Sequence, residues 1–190
     1  MRTLLILIVV VLASPCFGRP PVFATPDQAD LVRGARSLQD GFETDAYDKF
    51  LRAAELGNKE AQKSIGLMYI KGIGVEKDWA SAYAWLKLAG NHGDPKIIAA
   101  RDEVWGTLRE DEKVAANQRY EQIKENYGDY VALKRRQEWV RKQKREVTGS
   151  RTGRVGALRI QVADATGYNW ELSGVEYYNV LDQYLSLIHI

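Results

Sequence analysis

Apolar residues along this chain first run together and then recur at helical spacing. Leu4 to Ala13 is an unbroken apolar stretch behind the positive start Met1-Arg2. Beyond it, from about residue 25, apolar positions return every three or four residues between punctuating glycines, the signature of amphipathic helices. Thr25-Pro26-Asp27-Gln28 supplies an N-cap, proline at the first helical position and glutamine at the third, which predicts a helix from there to Asp40, stopped by Gly41. A second helix is predicted from Asp45 to Leu56, ending at Gly57. Asn58 caps a third, whose Ala61, Ile65, Met68 and Tyr69 fall on one face. Gly72-Ile73-Gly74 makes a turn and Asp78 caps a fourth. That helix carries Trp79, Tyr83 and Leu86 on one face and Ala82, Trp85 and Ala89 on the next. Gly93 stops it, and Asp94-Pro95 opens a fifth.

The second helices repeat. Ala46-Tyr47 returns as Ala82-Tyr83, Phe50 as Leu86, Ala53 as Ala89 and Gly57 as Gly93, each pair 36 residues apart. A period of this size belongs to arrays of helical hairpins. One repeat, Gly57 to His92, is complete; half a repeat precedes it, and from Gly93 the pattern decays.

The residues of this stretch resemble the Sel-one-like repeat (SLR) family, relatives of the tetratricopeptide repeats. They are Ala53-Ala54-Glu55-Leu56-Gly57-Asn58, Glu60-Ala61-Gln62, Ile65-Gly66-Leu67-Met68-Tyr69, Gly72-Ile73-Gly74-Val75, Lys77-Asp78, and Ala82 through Trp85-Leu86. Small Ala61, Gly66, Ala82 and Ala89 let paired helices approach closely, while Tyr69 and Trp85 fill the gaps between them. The expected fold is all-α: a short helical-hairpin solenoid over residues 25–109, closed by additional helices over 110–147. In those helices Ala116, Tyr120, Ile123 and Tyr127 form one packing stripe, and Tyr130, Leu133, Gln137 and Val140 a second. Residues 148–156 read as a linker. In the segment 157–184, Leu158 to Val162 and Tyr168 to Leu172 alternate at period two and predict a small β-hairpin.

The two ends of the chain read differently from the middle. The apolar run is too short to span a membrane well, and Pro15 and small residues to Gly18 follow it, so residues 1–18 are expected to be a cleaved secretory signal. The rival is a lipid anchor on Cys16, for which Ala13 and Pro15 are poor neighbours. Leu185 to Ile190 matches what a common sequencing adapter encodes, and it is set aside as a read-through scar with the native chain expected to continue past Tyr184.

Charge and chemistry narrow the reading. The formal net charge of +2 conceals a basic block: residues 134–154 sum to +7, flanked by −3 over residues 19–133 and −3 beyond 154. Lys134, Arg135, Arg136, Arg141, Lys142 and Arg145 within it are candidates for an anionic partner, either lipid or polysaccharide. Nucleic acid is not expected of an exported protein. One cysteine, in the signal, and two histidines leave no disulfide framework, metal-ligand spacing or nucleophile–base pair; neither cofactor nor metal is expected. His92 lies at a helix junction and Gly72-x-Gly74 is a structural turn. Resemblance to the SLR family implies a non-catalytic scaffold that binds protein partners on the first helices of its hairpins, here in a bacterial periplasm. Lys63, Leu67 and Lys71, four residues apart on the side of the third helix left free by its core residues, are the candidate binding face.

Overall fold

The structure, a computed structural model, describes residues 25–148, 159–163 and 169–186. The signal region, residues 149–156 of the linker, Leu158 and Tyr168 at the starts of the two predicted strands, and the last four residues lie outside them. The described elements are α1 (Pro26–Gln39), α2 (Glu43–Glu55), α3 (Lys59–Lys71), α4 (Trp79–Ala89), a 3₁₀ turn (Gly90–His92), α5 (Pro95–Thr107), α6 (Glu110–Tyr127), α7 (Asp129–Thr148), β1 (Arg159–Ala163), β2 (Asn169–Ser173) and α8 (Gly174–Ser186).

The punctuation of the sequence sets the helix ends. Asn58 accepts a hydrogen bond from the Ala61 N–H, Asp78 accepts from Ala80 and Ser81, and Asp94 accepts from Lys96 and Ile97. Each side chain satisfies N–H groups that have no partner inside the helix. At the other ends Gly72 and Gly93 stand in the left-handed region, at φ +70° and +83°. The Thr25 hydroxyl makes no capping bond, so the capping box expected there does not form and Pro26 alone sets that start.

Two hairpins, α1–α2 and α3–α4, are built on one close approach. A Cβ on Gly66 would lie 2.9 Å from Leu86 Cγ and 3.3 Å from the Ala82 carbonyl. A Cβ on Gly34 would lie 2.8 Å from Phe50 Cε1 and 3.3 Å from the Ala46 carbonyl. Since Phe50 and Ala46 are the counterparts of Leu86 and Ala82, Gly34 is the counterpart of Gly66. The expected half repeat is therefore a whole hairpin. Its helices are joined by a turn four residues shorter, with Gly34 sixteen residues before Phe50 where Gly66 is twenty before Leu86. The extra residues of the second turn fold back onto the first hairpin, where the Gly74 N–H donates to Glu43 Oε2 at 3.1 Å.

Helix α4 lies between two cores. Ala84, Trp85 and Leu88 join Phe50, Ala53, Ile65, Met68, Tyr120 and Ile123 on one side, and Ala82, Tyr83, Leu86 and Ala89 join Ile97, Val104, Leu108 and Ala116 on the other. A helix apolar all round must be covered all round, and α3, α5 and α6 do so. The stripe Ala116, Tyr120, Ile123 is buried as expected of a packing face. The second expected stripe is corrected at its start, where Tyr130 is 66% exposed with Lys134 over its ring and Ala132 takes the inner position against Gly57, while Val140 is buried as expected.

The C-terminal segment carries the expected hairpin and, after it, a helix that the alternating pattern does not predict. β1 and β2 pair antiparallel, with Ile160 opposite Leu172 and Val162 opposite Trp170. Beyond them the chain is helical: Ser173 and Glu176 cap α8 reciprocally, Ser173 N–H donating to Glu176 Oε2 at 2.8 Å. Residues 185–186 close this helix.

Candidate protein-binding face

The side of α3 turned away from the cores carries the three residues singled out in the sequence. Ala61, Ile65, Gly66 and Met68 are buried, leaving Leu67 at 36% exposure and Lys71 exposed, with Lys63 half-buried between them. Lys63 is paired with Glu60 one turn earlier, so its charge is partly answered within the helix. Through the pairing of Gly34 with Gly66, Leu67 corresponds to Ala35 and Lys71 to Gln39, both exposed on α1. Val32, Leu38 and Phe42 add apolar surface beside them, Phe42 at 65% exposure. The face thus carries apolar side chains over both hairpins and lysines only on the second.

Next to it is a feature with no signal in the sequence pattern. The longer second turn encloses a cleft of about 620 Å³ lined by Tyr47, Tyr69, Val75, Glu76, Lys77 and Asp78. The two phenol oxygens are hydrogen-bonded at 2.9 Å and their rings meet edge to face. Burial, and then the bond to Tyr69, keep the Tyr47 phenol protonated far above its usual range. The pair therefore acts as a neutral donor–acceptor unit. Asp78 is committed to the start of α4: it accepts from Ala80 N–H, Ser81 N–H and Ser81 Oγ. Its carboxyl is pushed up by burial and pulled further down by these donors, with a net lowering.

The basic block is not one continuous patch. α7 crosses the end of α2, and two of its arginines serve the carbonyls left open there. Arg135 donates to the Glu55 carbonyl at 3.3 Å and to that of Asn126, and Arg136 to that of Leu56. Arg136 also reaches Asp27, 3.5 Å away, with side chains 13% and 5% exposed. Arg136 thus drops out of the expected anionic-partner patch because it is buried against a carboxylate, and Arg135 because it closes a helix end. Lys134, Arg141, Lys142 and Arg145 face solvent. His92 is half-exposed, its Nε2 3.4 Å from Asp129, which Lys59 also pairs. Among the described residues no group of three His, Cys, Asp or Glu side chains is placed to hold a metal.

The hairpin array has a counterpart of known structure. It is similar to the crystal structure of a protective antigen present in uropathogenic Escherichia coli strains displaying an SLR fold, at TM-score 0.51 and 27% identity, over 62% of this chain. This chain has an SLR fold. The match spans a quarter of the antigen's own length. No protein-family model and no curated protein matches the chain. The SLR architecture accounts for the paired glycines, the left-handed helix ends and the outward first-helix face as parts of one repeat.

Proposed function

We propose that this chain is an exported, non-catalytic adaptor, acting in a bacterial periplasm, that binds a protein segment on the first-helix face of its SLR hairpins. The observation that carries the reading is the division of α3: one side packed into the cores, the other exposing Leu67 and Lys71 with Lys63 half-buried between them. An apolar strip edged by lysine suits an acidic amphipathic segment, whose apolar residues cover Leu67 while its carboxylates meet Lys71. Removing the signal after Gly18 delivers the repeat without a cysteine.

The test uses the full chain as bait in an envelope extract, beside a Lys63→Glu/Lys71→Glu variant. A partner retained at high salt and lost with the variant is expected, together with an N-terminal mass beginning at Arg19 in the periplasmic fraction. Identical partners for both baits remove the face, and a cytoplasmic product with Met1 retained removes the export.

A second reading rests on the four cations of α7 that face solvent, Lys134, Arg141, Lys142 and Arg145. They support adhesion to anionic lipid or polysaccharide, which predicts co-sedimentation with anionic vesicles that fades steeply with salt.

A further inference from the structure

α7 and α8 form a pair of opposite character. α7 has seven Lys/Arg against three acids, whereas α8 has Glu176 and Asp182 and no basic residue. The acidic helix lies on the basic one. Lys144 Nζ meets Asp182 Oδ1 at 2.6 Å, Tyr178 OH donates to the Lys144 carbonyl at 2.8 Å, and Tyr177 OH donates to Gln143 Oε1 at 3.1 Å. Between the helices Val140, Leu181 and Tyr184 form a small core of their own, flanked by Trp139, whose ring meets that of Tyr184 edge to face. Tyr184 also reaches the repeat. Its OH donates to Asp27 Oδ1 at 2.9 Å, the other oxygen of that carboxylate accepts from Asn58 Nδ2 at 3.0 Å, and the Arg136 guanidinium lies 5.1 Å from the Tyr184 ring centre.

We propose that the inner face of α7, ending at Asp27, is a docking site for an acidic amphipathic helix of a partner protein, and that α8 holds this site in cis as a competing stand-in. Three arguments lead there. The seat is chemically specific: a buried carboxylate–guanidinium pair that takes a tyrosine hydroxyl, an apolar step at Trp139 and Val140, and a lysine beyond it. Its occupant shows the pattern that fits, tyrosine or leucine at 177, 181 and 184 with the carboxylate of Asp182 on Lys144. The attachment is also a small unit of its own: among the described residues α8 buries Leu181 and Tyr184 with Val140 in a core apart from both main ones, and a satellite of this kind is what opens without global unfolding. This site lies on α7 and is independent of the α3 face.

The probe is a fluorescein-labelled peptide of residues 173–184, titrated by anisotropy into the full chain and into a Leu181→Asp/Tyr184→Ala variant that releases α8. At least tenfold tighter binding to the variant is expected, because a tethered competitor acts at millimolar effective concentration. A peptide with Asp182→Lys, which keeps the Ser173–Glu176 cap, is expected not to bind. Equal affinity for both chains overturns cis occupancy, and binding of the reversed peptide overturns the electrostatic fit. Adhesion of the variant to phosphatidylglycerol vesicles without peptide binding gives the face to a membrane and overturns the proposal. A dimeric wild-type chain that α8 exchange makes monomeric also overturns it. If the double variant loses the helical signal of the repeat, Tyr184→Phe replaces it, removing only the hydroxyl on Asp27. The expected gain is then about two- to tenfold, the equivalent of one hydrogen bond, and no gain overturns the proposal.

Discussion

Two glycines inside helices predict opposite responses to the same substitution. Gly66 and Gly106 both lie within helices, α3 and α5, and Gly→Ala in an open helix interior stabilises by about 1 kcal/mol through helix propensity. At Gly106 a Cβ meets nothing within 4 Å, so Gly106→Ala is expected to gain about half to 1 kcal/mol, the lower end because the helix ends one residue later. At Gly66 the new Cβ would stand 2.9 Å from Leu86 Cγ and 3.1 Å from its Cδ2. Leu86 is fully buried and cannot swing into solvent. Overpacking of this kind costs about 1–3 kcal/mol, so the net for Gly66→Ala is a loss of up to about 2 kcal/mol. Urea unfolding of the full chain followed at 222 nm separates the two signs. A chain of this size shifts in melting temperature by about 2–4 °C per kcal/mol, so heat gives the same ordering. Adding Leu86→Ala to Gly66→Ala is expected to be less costly than the sum of the single changes, because each relieves the other. A Gly66→Ala chain as stable as Gly106→Ala would refute the claim that hairpin closure rests on this glycine.

Other positions test the remaining joints of the fold. Gly74→Ala combines φ +67° with a Cβ only 2.6 Å from the Glu43 carbonyl oxygen, and backbone cannot yield as a side chain does. A loss above about 2 kcal/mol in the same urea assay is expected, the left-handed backbone alone accounting for about 1–2 of it. Asp78→Ala removes three acceptor contacts at the start of α4 and is expected to cost about 1–2 kcal/mol. Because the folded-state pKa of Asp78 is lowered, its contribution is complete above the ordinary carboxylate range near pH 4 and is lost as pH falls through the folded value. The wild-type and Asp78→Ala denaturation midpoints therefore converge on acidification, and a gap constant to pH 2 contradicts the assignment. Asp27→Ala leaves the largely buried Arg136 without its carboxylate and is expected to cost about 3–5 kcal/mol by thermal melting, with Arg136→Met on the same background recovering part of it.

Much of this architecture is written locally and was legible for that reason. Helix ends depend on a capping side chain or a left-handed glycine within a few residues, and Asn58, Asp78, Asp94, Gly72 and Gly93 stand where the ends fall. The 36-residue period was legible because it runs through second helices that share a buried register. The first helices escaped it since the two turns differ by four residues, which places Gly34 and Gly66 only 32 apart and hides the first hairpin from a fixed-period search. α8 escaped for a different reason. Its Ser173-x-x-Glu176 capping box and the spacing of Tyr177, Leu181 and Tyr184 are helical signals, but tyrosine and valine also favour strands and follow directly on the alternating hairpin. The roles of Arg135 and Arg136 have no local signal at all. A run of cations specifies charge, and only the crossing of α7 over the end of α2 decides that these two turn inward.

That crossing also explains why a short repeat array can be stable. A single hairpin cannot cover its own apolar face, and solenoids ordinarily solve this by stacking further copies. Here the second hairpin is covered by helices outside the period: α6 contributes Ala116, Tyr120 and Ile123 to both sides of α4, and α5 supplies Ile97 and Val104, with Leu108 just beyond its end. α7 then closes the array, with Ala132 against Gly57 and Arg135 and Arg136 on the carbonyls that end α2. The SLR hairpins thus keep their first-helix side open while their second helices are covered by helices from outside the repeat. The proposed adaptor role requires this asymmetry, since a cap placed on the first-helix side would cover α1 and α3, where the partner is proposed to bind.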